Sequence, residues 1–393
     1  MKKFISTLIL FIVCLNFTNV QAATNNVIEI SLDNIEEIML EYSPELKIID
    51  NNLEKAREEY KDTIDDIDDT EDEIKKLQDE IYNSNKDLQT NKDSQTNNES
   101  KENLNKKEDD KREKLGKIEG LEEKLKSLKD SKKAKKYDLR IARTKYDKEV
   151  KQSVMKVQKQ YIDYLDTVAK KEVKLSELNT KNKQSEVSKK KYEMGFISKK
   201  EYTSNTFDTT DLKNELSQLN TKQENDLKEL LLSLGLSNKE ELKFNTDIKL
   251  DLDKISKINF QDDLEEMLDN NVDMQVRKIE SDKLDDLDDV SDYEIDNNEI
   301  YLKQEKDKAK LEFEKQYNNL KVSCDLIKNA DERLKRDQYD VVIMNTKYNY
   351  GFASKKQIEE FENGLNKKES DFVSQRNNLY INYLTYIQMK NGY

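Results

Sequence analysis

The sequence predicts an all-α chain of long antiparallel coiled-coil hairpins in two tandem repeats, with little or no β structure. Three observations carry this. Helix breakers are scarce, since 393 residues include one Pro and seven Gly, far below ordinary usage. Charged residues make up 39% and hydrophobic residues 34%. That is too apolar-poor for one large globular core but enough for seams along paired helices. Finally, a segment recurs. Tyr192-Glu193-Met194-Gly195-Phe196-Ile197-Ser198-Lys199-Lys200 returns as Tyr348-Asn349-Tyr350-Gly351-Phe352-Ala353-Ser354-Lys355-Lys356. Lys159-Gln160-Tyr161 returns as Lys315-Gln316-Tyr317 at the same offset of 156. A shared motif at a shared spacing reads as internal duplication.

The chain opens with Lys2 and Lys3, then an apolar run from Phe4 to Leu15 and the small-residue context Val20-Gln21-Ala22. This reads as a signal peptide over 1–22. Cys14 falls within it, which leaves Cys324, placed near an apolar seam as a small buried hydrophobe. The alternation of Ile28, Ile30 and Leu32 is too brief to define a strand. A helical pattern follows through Leu32, Ile35, Met39 and Leu40. Ser43-Pro44-Glu45-Leu46 then reads as a new helix start, with Ser43 as N-cap and Pro44 at the first helical position.

A related stretch at 260–276 lies 228 residues on: Phe260 answers Leu32, Met267 answers Met39 and Val272 answers Pro44. The two offsets differ by 72, so the first repeat carries an insertion of that size at about 61–140. Ile67, Ile74, Ile81 and Leu88 recur every seven residues there. After a polar stretch from Gln89 to Asn103 come Leu115, Ile118, Leu121, Leu125 and Leu128. Two seams around a polar loop predict a charged coiled-coil hairpin. The expected organisation is a first repeat over 23–235 containing this insertion, a connector at 236–259, and a second repeat over 260–393.

Within the repeats, Val154, Tyr161, Val168 and Leu175 form one heptad column. Phe313, Leu320, Ile327, Leu334, Val341 and Tyr348 form another. A helix from about 138 to 192 would run ~80 Å. Gly195 and Gly351 suit the left-handed backbone that closes a helix, and Ser198 and Ser354 suit the caps of the next. Leu212, Leu216, Leu219, Leu227, Leu230 and Leu234 line one return helix, and Phe361, Leu365, Phe372, Leu379, Tyr383 and Tyr386 the other. In the connector, Phe244 to Leu252 alternates weakly, as one short strand would.

The formal charge of −14 argues against a nucleic-acid partner, which calls for a basic stripe. There is no His and no Trp, no phosphate-binding Gly loop and no nucleophile motif, so an enzyme is not expected. The acidic run from Asp62 to Asp72 lacks the Gly-containing spacing of an EF-hand and reads as a solvated face. Neither a cofactor nor a metal site is expected.

With these residues in place, the chain resembles the TolC family of outer-membrane efflux proteins. The resemblance rests on the duplicated unit, on Ser43-Pro44-Glu45-Leu46 after a short amphipathic helix, on the twice-used Tyr-x-x-Gly-x-x-Ser turn, and on Leu232-Ser233-Leu234-Gly235-Leu236 closing the first unit. It implies a homotrimer whose hairpins close an α-helical tunnel. It also implies a periplasmic-adaptor-like protein and an inner-membrane pump of ABC or RND type as partners. The aperture would lie at the hairpin tips, around Tyr192, Gly195, Phe196, Ser198, Tyr348, Gly351, Phe352 and Ser354. Glu201 stands where the family places an acidic residue. The matching position in the second unit holds Gln357, with Glu360 about one turn on. Tyr348 matches a gate tyrosine, whereas Ala353 occupies the gate arginine's place. Plain packing of the tip aromatics is the competing reading. Neither 61–140 nor 277–312 has the 9–11-residue alternation of a membrane barrel strand. A divergent member without those strands is therefore expected, exported to the cell envelope: the resemblance implies the outer membrane, and the absence of evident barrel strands a soluble or wall-associated place outside the cytoplasm. The alternative function is a coiled-coil spacer or adhesin that has lost transport.

Overall fold

The computed structural model describes residues 27–92, 99–236, 241–246, 248, 250–287 and 290–393. The leader expected over 1–22 lies outside them. Nearly everything described is helix. Strand β1 (Ile28–Ile30) leads into α1 (Ile35–Tyr42), α2 (Pro44–Lys92), α3 (Glu99–Glu193) and α4 (Lys199–Leu234). Strand β2 (Leu242–Phe244) and α5 (Leu252–Ser256) follow, then α6 (Phe260–Asn270), α7 (Val272–Asp286), α8 (Asp292–Asn349) and α9 (Lys355–Lys390).

The outward helix of the first unit is longer than its own seam predicts. It does not begin near 138. The second helix of the insertion runs into it without a break, giving α3 95 residues and a length of ~140 Å at 1.5 Å per residue. Nothing between 99 and 193 stops it: Gly116 and Gly120 cost about 1 kcal/mol each against Ala, and no Pro intervenes.

The insertion is a helical hairpin, α2 against the first part of α3. Thr63, Ile67, Thr70 and Ile74 are buried along α2, and Ile118 is buried along α3. Buried in the seam, Thr63 and Thr70 donate their hydroxyls to the carbonyls of Glu59 and Asp66, at 2.8 and 2.7 Å. Ion pairs fix the helix register: Lys129 to Glu71 at 2.9 Å, Lys114 to Glu80 at 3.1 Å and Lys135 to Glu59 at 2.5 Å. Leu115, expected in the seam, is exposed: the three-four spacing that brings Ile118 and Leu121 toward α2 brings Lys114 there too, paired with Glu80, and leaves Leu115 one position off the stripe. The side chain of Leu88 lies outside the described residues.

The strand of the connector is Leu242–Phe244, upstream of the expected Phe244–Leu252. It pairs in parallel with β1, Ile28 opposite Leu242 and Ile30 opposite Phe244. Tyr161 fixes this ribbon to α3: its hydroxyl lies 2.5 Å from the Asn245 carbonyl and 3.1 Å from that of Ile30. One core cluster gathers here around Ile30, Ile35, Met39, Val157, Tyr161, Leu230 and Leu234. A second gathers around Met267, Phe313, Leu320, Cys324, Leu379 and Tyr386. Cys324 is buried and free.

Ser43 does not cap α2 with its side chain. Its hydroxyl donates to the Ser233 carbonyl at 3.0 Å, joining the start of α2 to the end of α4. Gly235, at φ 76°, closes α4 against the same junction. A Cβ there would lie 2.0 Å from the Tyr42 carbonyl oxygen. Gly392, at φ 91°, closes α9 against Asn270, whose carbonyl oxygen would likewise lie 2.0 Å from an added Cβ. Tyr42 and Asn270 are 228 residues apart, the offset already read from the sequence.

The helices on either side of the connector meet along α3. Helix α7 lies between α3 and α8 and buries Val276 and Ile279. Tyr137 donates to Asp286 at 2.5 Å, Arg140 pairs with Asp282 at 2.9 Å, Lys283 pairs with Asp138 at 2.6 Å, and Lys148 pairs with Asp273. Helix α9 runs antiparallel to α3. Gln388 donates to the Lys151 carbonyl at 3.2 Å, Asn377 to Asp166 at 3.0 Å and Ser176 to Asn363 at 3.2 Å. Toward the tips each hairpin has fewer neighbours, and there the seam residues Leu175, Tyr348 and Phe361 are exposed rather than packed.

Candidate aperture at the hairpin tips

The antiparallel packing of α3 on α9 puts both glycine turns at the same end of the bundle. They share one backbone design. Gly195 and Gly351 have φ of 76° and 77°, a region L-residues avoid. The amide of Phe196 donates to the Lys191 carbonyl at 2.8 Å, and that of Phe352 to the Lys347 carbonyl at 2.7 Å. These six-to-one bonds satisfy the last carbonyls of α3 and α8. Ser198 and Ser354 then cap the return helices, accepting from the amides of Glu201 at 3.2 Å and Gln357 at 3.3 Å.

The residues at the third helical position differ in role. Gln357 turns back, its Oε1 accepting from the Ser354 amide at 2.8 Å. This completes a capping box, so its side chain is engaged at the helix start. Glu201 is exposed beside Lys199 and Lys200, with Lys190 and Lys191 ending α3 across the turn. Those lysines favour the negative end of the α3 dipole. Glu360 pairs with Lys356 at 3.7 Å.

The aromatic residues do not form one packed tip. Tyr192 stacks on Tyr202 with ring centroids 5.2 Å apart and planes 7° from parallel. Phe196 and Phe352 instead stand 76% and 82% exposed. Met194 and Tyr350, which the sequence reading passed over, are exposed as well. Their signal was present: each turn sets one large apolar residue on either side of its glycine. Among the described residues no group of His, Cys, Asp and Glu is arranged to hold a metal ion. No described helix is long and apolar enough to cross a membrane.

No protein-family model and no curated protein matches the chain. Solved structures do. The chain is similar to CusC, whose crystal structures concern folding and transmembrane channel formation, at 11% identity over 97% of both chains with a TM-score of 0.57. It is similar to the open state of the Neisseria gonorrhoeae MtrE outer membrane channel, at 10% identity over 97% of this chain and 98% of that one, TM-score 0.55. The outer-membrane channel OprN follows at 9% identity over 92% and 90%, TM-score 0.52. Likeness at this identity speaks to architecture, and the long paired helices and glycine-turned hairpins agree with it: the chain has a TolC-like fold.

Proposed function

We propose that this chain is the protomer of a passive export duct in the cell envelope, built by duplication of one hairpin unit and assembled as a homotrimer. A periplasmic-adaptor-like protein would dock on it, and an inner-membrane pump of ABC or RND type would supply the energy. The observation that carries this reading is the pair of turns. Two hairpins of the same backbone design end together, on a fold similar to solved outer-membrane channels. The exposed Phe196, Phe352, Met194 and Tyr350 give the tips an apolar rim for a helical partner.

Transport itself asks little chemistry of the chain. A duct needs a closed wall and an aperture, and the wall here is helical throughout. Residues 61–92 and 99–140 are helix and not barrel strand, so the α2–α3 arm is read as a solvated coiled coil. The same arm favours one competing reading, a structural spacer that keeps the fold without a lumen.

Light scattering coupled to chromatography on signal-free protein in detergent-free buffer, followed by negative-stain imaging, separates the two. A soluble trimer with a stain-filled lumen is expected. An extended monomer or dimer without a lumen would remove the duct and leave the spacer.

A further inference from the structure

Charge is segregated between the two helices of the arm. Residues 59–73 of α2 hold nine carboxylates and one lysine, and residues 124–136 of α3 hold seven lysines and one aspartate. Two ion pairs cross the hairpin here, Glu59 to Lys135 and Glu71 to Lys129. The other acidic residues include a regular row. Asp62, Asp66, Asp69 and Glu73 each stand one position before a buried seam residue, Thr63, Ile67, Thr70 and Ile74. All four are exposed, and among the described residues none has a side-chain partner within the copy. Like charges three and four apart on a helix repel, so this row weakens the arm of a copy standing alone.

The basic row lies on the other flank. On α3, Lys126, Lys129, Lys133 and Lys136 each follow a half-buried seam residue, Leu125, Leu128, Lys132 and Lys135, and all four are exposed. Lys129 meets Glu71, which itself follows the seam residue Thr70. This flank of α3 therefore adjoins the side of α2 away from the acidic row. The two rows also stand at one height, because the ion pairs at both ends set 126–136 beside 59–73. Lys126 falls level with Asp69, and Lys136 with Asp62. Among the described residues neither Lys126 nor Lys136 has a partner within the copy.

We infer that the arms of successive copies stand flank to flank, the acidic row of α2 in one copy against the basic row of α3 in the next, and continue the assembly beyond the bundle as a charged collar. A second copy suits this surface because it brings the opposite row at the matching height. Copies related by a rotation axis along the helices keep their levels, so Lys126 meets Asp69 and Lys136 meets Asp62 with no sliding. The rows occupy opposite flanks, so the contact is head to tail and closes wherever the rotation closes. Exposed ion pairs are individually weak. Here several act in one row, and each also relieves the repulsion among its neighbours. The second unit has no arm, since 287–291 joins α7 to α8, so the collar is made by first units alone. This inference rests on the duct reading, which supplies the rotation axis.

The test is thiol crosslinking on the full chain, with assembly mass followed by sedimentation and helicity by circular dichroism. Lys126→Cys with Asp69→Cys puts one thiol on each flank, and Cys324 is buried away from the reagent. A short bis-maleimide is expected to join successive copies into a covalent ladder ending at the ring, whereas either cysteine alone gives dimers at most. In that background Asp62→Lys removes repulsion within its own row, so the arm stays helical, yet it sets a lysine against Lys136 of the next copy. It is expected to cut the ladder yield about 10-fold, and Lys136→Glu beside it to restore the yield. Rings that sediment as the wild type but give no ladder, or a ladder indifferent to Asp62→Lys, would overturn the collar while leaving the duct reading standing. A wild-type chain that stays monomeric at every concentration would overturn both.

Discussion

Substituting Gly235 by Ala separates two costs that a positive φ usually mixes. At Gly195 and Gly351 an added Cβ meets nothing within 4 Å, so Ala there bears only the left-handed backbone, about 1–2 kcal/mol. At Gly235 the φ is the same 76°, but the Cβ would stand 2.0 Å from the Tyr42 oxygen and 2.5 Å from its carbon. Ordinary contact begins at 3.4 Å, so the α1–α2 junction must retreat by more than an ångström. That junction is held by the Ser43 hydroxyl on Ser233 and by buried Met39 and Leu46. Overpacking of this kind adds roughly 1–3 kcal/mol, for a total of about 2–5 kcal/mol. Urea unfolding followed by circular dichroism reads the difference between Gly235→Ala and Gly195→Ala. Equal midpoints and slopes for the two would refute the reasoning, since the backbone term alone would then account for both.

Other outcomes follow from the same contacts. Ser354→Ala should cost about 1–2 kcal/mol and Ser198→Ala about 1 kcal/mol, because Ser354 closes a capping box with Gln357; equal losses would remove the box from the account. Phe196→Ser with Phe352→Ser should leave protomer stability within ~0.5 kcal/mol, both rings being exposed, and a large loss in melting temperature would show hidden packing. The Tyr137 phenol is pushed up to about 12, chiefly by its hydrogen bond to Asp286 and then by burial. Below pH 10 it is protonated folded or unfolded, so its contribution is complete. Between pH 10 and about 12 the unfolded chain ionises first and that stability is lost. Tyr137→Phe should therefore lose stability less steeply than the wild type across that window in alkaline titrations.

Where apolar spacing alone decides the outcome, the sequence was explicit. The seven-residue march of Ile67 and Ile74 became buried seam, and the Tyr-x-x-Gly-x-x-Ser motif became a turn with its glycine left-handed and its serine capping. What escaped depended on contacts between distant segments. Ser43 had the local chemistry of an N-cap, but a carbonyl 190 residues away took its hydroxyl. The strand settled at Leu242–Phe244 because there it pairs in register with β1, a pairing that alternation within the connector cannot reveal. The tip residues were legible as a turn and not as a surface. Stacking of Tyr192 on Tyr202 and the fuller exposure of Phe196 follow from side-chain direction at the turn, whereas their spacing is equally compatible with mutual packing.

The arm is the clearest case of a feature whose role can be separated from the fold. In the second unit α7 ends at Asp286 and α8 begins at Asp292; their counterparts at offsets 228 and 156 are Glu58 and Lys136. The second unit thus connects the same two positions by the segment 287–291, where the first uses an arm projecting some 57 Å beyond Tyr137 at 1.5 Å per residue. The arm's own interior is modest, a Thr and Ile seam with ion pairs near its surface. Its buried residues touch neither core cluster. Replacing residues 59–135 by a copy of 287–291 should therefore leave a helical protomer whose bundle melts within a few degrees of the parent. A shortened chain that folds but stays monomeric would place the assembly surface on the arm. One that fails to fold would mean the arm stabilises the bundle through contacts its seam does not reveal.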